Sequence, residues 1–78
     1  MDLQQLRYFQ VVARLEHVRR AADELAIARL ETELGVPLFN RVGRQLQLNQ
    51  FGRAYLQRID QIFNELEAGK REINDFGT

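Results

Sequence analysis

Between Leu30 and Gly52 the segment LETELGVPLFNRVGRQLQLNQFG changes its hydrophobic period twice, which dictates where helices must stop and start. Leu30 to Leu34 is helical in tendency. Gly35 sits where a left-handed C-cap belongs, Val36 can touch Leu30 across that cap, and Pro37 prevents continuation. Leu38-Phe39 then enters a strand, and Gln45-Leu46-Gln47-Leu48 alternates polar and apolar, the period of a half-buried strand. Between them Arg41-Val42-Gly43-Arg44 makes a short basic tip, with Gly43 free to take positive φ. Asn49 is a good cap for a following helix. A two-stranded hairpin is barely stable alone, so Phe39, Leu46 and Leu48 must pack on helices.

Helix end, basic-tipped hairpin and helix start together make the back half of a winged helix-turn-helix. The front half begins with a predicted helix over about Leu3 to Leu15. Asp2 is its N-cap and Gln5, three residues on, completes a capping-box pattern. Leu3, Leu6, Phe9, Val12 and Ala13 form one core-facing stripe, with Arg7, Gln10 and Arg14 off it. Glu16-His17-Val18 is the turn, and His17 reads as a solvated turn residue, not a ligand or catalyst. A second helix starts near Arg19 or Arg20. Its small face of Ala21, Ala22, Leu25 and Ala26 lets a neighbouring helix approach closely.

The last helix is predicted over about Phe51 to Asp75. Tyr55, Ile59, Ile62, Leu66, Gly69, Ile73 and Phe76 alternate spacings of four and three, a heptad seam. At 1.5 Å per residue the helix is roughly 36 Å long, more than a small domain can cover. The seam therefore calls for a partner helix. A second copy of the chain is the favoured partner, ahead of a segment absent from this chain. Gly69 costs about 1 kcal/mol against Ala, and permits a close crossing if it lies at that interface.

Seventy-eight residues make one small domain at most, and a domain of that size buries only about 60% of its unfolded surface. Cysteine is absent and there is one His, which leaves no disulfide framework and too few ligands for most metal sites. No nucleophile–base pair, metal-ligand spacing or Gly-rich phosphate loop is present, so an enzyme is not expected, nor a cofactor or metal. No apolar run approaches the roughly 18 residues of a membrane span and no signal peptide is visible; a soluble cytoplasmic protein is expected. Net charge is zero, but residues 1–58 carry nine Lys/Arg against six Asp/Glu (9 − 6 = +3) and residues 59–78 two against five (2 − 5 = −3). Only the front would face a phosphate backbone.

The blocks MDLQQLRYFQVVA, RAADELAIA, RLETELGVPLFNRVGRQLQL and NQFGRAYL resemble the N-terminal DNA-binding domain of LysR-type bacterial transcriptional regulators. The resemblance spans almost the whole chain, and the order and spacing of the blocks are more specific than any single motif. It implies a mainly α fold: a three-helix core with a two-stranded wing over residues 1–52, then a linker helix over 53–78 that pairs two subunits antiparallel. The family's effector-binding domain is absent from this chain.

Three departures stand out. Arg19 occupies the place of the family's helix-capping Ser or Thr. Asn49-Gln50-Phe51-Gly52 replaces the family's Thr-Glu-Ala-Gly, a mild change because Asn can still cap. Between Leu25 and Leu30 the family has about 13 residues, including a turn and most of the base-reading helix. Here there are four, Ala26 to Arg29. The family's base contacts therefore carry over to no position. What remains is Arg19 and Arg20 at the second helix start and Arg41 and Arg44 in the wing, suited to phosphate or minor groove. With Arg29 these are the candidate DNA contacts.

Two accounts of the short stretch stay open. In one, the molecule holds residues there that the written sequence lacks; the loss falls inside the working element of an otherwise kept domain, which favours this account. In the other, Arg19 to Leu34 is one uninterrupted helix with Ala21, Ala22, Leu25, Ala28 and Leu34 roughly on one face. The function expected is a sequence-specific DNA-binding domain of a LysR-type regulator, acting as a homodimer on double-stranded DNA. The alternative is a dimerisation module without base readout.

Overall fold

The computed structural model describes residues 1–16, 21–43 and 45–77. His17 and the candidate contacts Arg19, Arg20 and Arg44 lie outside the described residues. The order is α1 (Leu3–Leu15), α2 (Ala21–Leu34), β1 (Phe39–Val42), β2 (Gln45–Leu48) and α3 (Gln50–Phe76). The strands pair antiparallel with Phe39 opposite Leu48 and Val42 opposite Gln45. This is the mainly α, winged architecture expected from the resemblance.

The Asp2 carboxylate accepts the Gln5 N–H at 2.8 Å and starts α1. The reciprocal half of the capping box is not made, because the Gln5 Oε1 is buried without a partner among the described residues. Glu16 ends the helix in the left-handed region at φ 55°, and its carbonyl accepts the Leu46 N–H at 3.0 Å. The wing is thereby tied to the end of α1. Two assignments on α1 change places: Leu3 stays exposed, while Gln10 is buried, because it faces α3.

α2 runs without a break from Ala21 to Leu34, so no turn separates Leu25 from Leu30. The three-helix core expected from the resemblance is here α1, one fused helix and the start of α3. The buried face of that helix also differs from the expected one. Asp23, Ile27 and Leu30 are buried and Leu34 is half-buried. Leu25 is 52% exposed, and Ala22 and Ala28 are exposed. The reason is helical phase. At about 100° per residue, Leu25 and Leu30 lie about 140° apart on a continuous helix, while 23, 27, 30 and 34 fall in one stripe.

The chain then turns sharply. Gly35 takes φ +78° with its N–H on the Glu31 carbonyl at 2.8 Å, and the Glu31 carboxylate accepts the Leu38 N–H at 2.6 Å. Asn49 closes the corner. Its Oδ1 accepts the Gly52 N–H at 2.9 Å to cap α3, and its Nδ2 donates to the Pro37 carbonyl at 2.8 Å. The core sits where these elements meet: Phe9 of α1, Leu30 of α2, Leu38 and Ile59 of α3 are its most deeply buried large side chains. The Phe9 ring meets Phe39 edge-on at 5.7 Å between centroids.

α3 is 27 residues long, roughly 40 Å, and extends past this core to give a molecule of 51 × 23 × 19 Å. Its first turn lies so close to the hairpin that a Cβ on Gly52 would overlap the Leu38 carbonyl oxygen and press on Leu48 Cδ2 at 2.7 Å. The obstacle is backbone and cannot swing aside. Gly52→Ala is expected to destabilise the fold by about 3 kcal/mol, as overpacking of a tight site does. A thermal melt followed by circular dichroism checks this; an unchanged midpoint would contradict the packing described.

Candidate nucleic-acid interface

The surface of α2 opposite its buried stripe carries Ala22, Leu25, Arg29 and Thr32, all exposed and spaced as one helical row. The Thr32 hydroxyl donates to the Ala28 carbonyl at 2.9 Å. The wing flanks this row. Arg41 of β1 reaches Glu24 of α2 and donates to its carboxylate at 2.6 Å, with both side chains exposed. Arg29 lies on the other flank, in a shallow cleft of about 210 Å³ against Asp2, Gln4, Gln5 and Tyr8 of the N-terminus and α1. The structure thus brings Arg41 against one side of α2, while Arg29 lies on the side toward α1.

Charge on α2 itself is unfavourable to a polyanion. Arg29 is its one cation, against Asp23, Glu24, Glu31 and Glu33 (1 − 4 = −3). The basic excess of the front half therefore resides in α1, Arg19 and Arg20 of the sequence before α2, the wing and the start of α3, not in α2. Arg53, in the first turn of α3, is a further cation beside the wing; it donates to the Leu48 carbonyl at 2.9 Å and lines a polar hollow with Asn40, Gln47 and Gln50. Its place became visible only when the α3 cap brought it next to β2. The outward row of α2 was also missed, although counting back from Leu30 and Leu34 in helical steps would have found it.

The heptad residues of α3 divide into two groups. Ile59 is 1% exposed inside the subunit's own core, and Tyr55 is half-buried with its ring 5.8 Å from Phe9. Neither is free to line a seam between subunits, because the first half of α3 packs on α1. Ile62, Leu66, Ile73 and Phe76 are exposed, Phe76 to 82%, and Gly69 is half-buried with open space around the position of a Cβ. The boundary expected after Gly52 falls within the first turn of α3. Among the described residues no helix is long and apolar enough to cross a membrane.

A model of the bacterial regulatory helix-turn-helix proteins of the lysR family matches residues 3–53. The chain belongs to that family. It is 46% identical over 82 aligned positions to the uncharacterized HTH-type transcriptional regulator YybE of Bacillus subtilis, and 39% identical over 85 to the transcriptional dual regulator GltC of the same organism. These alignments take in 94% and 97% of the chain but 28% of each regulator. The chain thus spans little more than a quarter of the length of the relatives it matches. The LysR family regulator CbnR is similar in structure, with a TM-score of 0.80 and 28% identity over 92% of this chain and 28% of that one. The DNA-binding domain of CbnR, solved with DNA, shares the fold end to end, with a TM-score of 0.86 at 24% identity.

The LysR relatives are transcriptional regulators with DNA-binding domains, and this chain is such a domain, not an enzyme. The alignment with YybE also contains gaps in this chain. Since 94% of 78 residues is about 73, about nine of the 82 aligned positions have no residue in this chain.

Burial raises the pKa of the Tyr55 hydroxyl above its ordinary 10.0, and the nearby Glu33 carboxylate adds to the rise. The folded state favours the neutral phenol. Its contribution is full below pH 10 and is lost as pH climbs through the raised value. Glu33→Gln is expected to move the Tyr55 step to lower pH in a tyrosinate absorbance titration on a Tyr8→Phe background. A step that stays in place would show that Glu33 exerts no field there.

Proposed function

We propose that this chain is a sequence-specific DNA-binding domain of a bacterial LysR-type regulator, working in the cytoplasm as a homodimer joined along the outer half of α3. The observation that carries this reading is the division of α3. Its first half completes the core, while Ile62, Leu66, Ile73 and Phe76 extend an exposed apolar row beyond it. Such a row on an otherwise marginal domain is stabilised by a second copy. GltC, a relative by sequence, is a transcriptional dual regulator, and the CbnR domain of like fold was solved on DNA.

In this arrangement residues 1–52 form the DNA-facing unit and residues 53–78 the linker that joins the copies. Arg41 and Arg44 of the wing, with Arg19 and Arg20 at the start of α2, meet phosphates and orient the domain, contacts that position without reading sequence. Thr32 on the outward row of α2, and Arg29 on its α1 side, are the candidates to touch base edges.

Sedimentation and gel retardation test the proposal together. The expected result is a dimer that retards DNA at low salt, prefers a selected two-fold sequence, and loses affinity steadily as salt rises. A monomer at DNA-binding concentrations, or no retardation of any DNA at low salt, would overturn it.

The Arg41–Glu24 pair supplies a finer check. An exposed pair is worth about 0–1 kcal/mol, so Arg41 gives up little when a phosphate replaces the carboxylate. Glu24→Gln is expected to tighten low-salt binding by roughly two- to five-fold, within that range. Arg41→Ala is expected to lower the slope of log affinity against log salt by about one.

A further inference from the structure

We infer that Asp60 is the residue that sets the direction in which α3 leaves the core and, through it, the spacing between two DNA half-sites. Two side chains from one face of α1 bond to it, and a third braces the first. Gln10 Nε2 donates to the Asp60 carboxylate at 2.6 Å, and Arg14 Nη2 donates to the same oxygen at 3.1 Å. Arg7 Nη1 donates to Gln10 Oε1 at 3.1 Å, and its guanidinium lies 3.8 Å above the ring of Phe63 on α3. Gln10 is 4% exposed, so its amide has little water to turn to. Both ends of that amide are satisfied by Arg7 and Asp60.

The apolar part of the same contact, Ile59 and Phe63 against α1, is not directional; it tolerates a tilt or roll of α3 as long as area stays covered. Hydrogen bonds do not, because they weaken steeply away from alignment. Asp60 is where the directional contacts meet, one turn before Phe63, the last buried residue of α3 among the described residues. Beyond it the helix runs on for roughly 24 Å, with Ile73 and Phe76 in solvent. A change of about 10° at Asp60 moves the far end by ~4 Å, about one base-pair step of 3.4 Å along DNA. In a two-fold dimer both subunits contribute.

The effect on half-site spacing rests on the homodimer reading, whereas the direction of α3 within one chain does not. The chain has no cysteine, so labels can be placed at will. Gln47 on the wing and Arg71 on α3 are both exposed. Gln47→Cys and Arg71→Cys, spin-labelled and diluted into unlabelled protein, give an intramolecular distance by pulsed electron paramagnetic resonance. One narrow distance is expected with Asp60 in place. Asp60→Leu is expected to shift or broaden it by about 3 Å, the same 10° acting over the roughly 16 Å from Asp60 to Arg71. Asp60→Asn keeps an acceptor for Gln10 and is expected to restore most of the narrow distribution. Should Asp60→Leu fail to fold, Arg14→Gln, at an exposed position, carries the same comparison with a smaller shift.

An unchanged distribution would overturn the role of Asp60. The second arm uses DNA in which two selected half-sites are set at graded spacings. The intact chain is expected to show one sharp optimum, and Asp60→Leu a broadened or displaced one, with affinity for a single half-site unaltered. A sharp, unmoved optimum overturns the link to spacing. A chain that stays monomeric, or binds no DNA, defeats the homodimer reading alone, and the distance measurement still decides what Asp60 does.

Discussion

Phe9, Leu30, Leu38 and Ile59 meet at one point, and each comes from a different part of the chain: α1, α2, the lead-in to β1, and α3. Burial there is almost complete, so every element is held by the same small volume. Loss of any one of these side chains would open a cavity that a 78-residue domain has little spare stability to absorb. The wing depends on this point too. Phe39 stacks edge-on against Phe9, and Leu46 is both buried and tied by its N–H to the end of α1. The basic tip is held in place by a core it does not itself enter.

The same constraint explains the unusual α2. Leu30 and Leu34 must face the core shared with α1, which sets the rotation of the helix from its C-terminal end. With no turn after Leu25, that rotation propagates to the N-terminal end. Ile27 and Asp23 are drawn inward and Leu25 is turned out. A family member with about nine more residues can aim its two helices independently; this chain cannot. The outward row of Ala22, Leu25, Arg29 and Thr32 is thus a consequence of core packing, and it is poor in cations. The cation nearest the row from another element is Arg41 on the wing, paired with Glu24.

Much of the fold was legible in the residues. Asp2 and Asn49 cap the helices they precede, Gly35 and Gly43 take the positive φ expected of them, and the period-two run at Gln45–Leu48 is the second wing strand. These are local rules that need no knowledge of the rest of the molecule. Less of the candidate site was legible. Arg41 and Arg29 were identified by residue type, but nothing local said that Arg41 would pair with Glu24 while Arg29 faced α1. The heptad count on α3 ran straight through Ile59 because spacing alone cannot distinguish a seam against α1 from a seam against a second subunit. Gln10 was placed off the core because one apolar stripe was assumed, whereas α1 is covered on two sides.

The sequence by itself determined the order of the elements, their ends, the family, and the presence of a long amphipathic terminal helix. Each follows from backbone conformation and hydrophobic period, which act over a few residues. Tertiary structure decided which side of α2 faces outward, how much of α3 extends beyond the core, and that Asp60 gathers Gln10 and Arg14. Those outcomes depend on helices far apart in the chain competing for the same buried volume, a competition that only the packed core resolves.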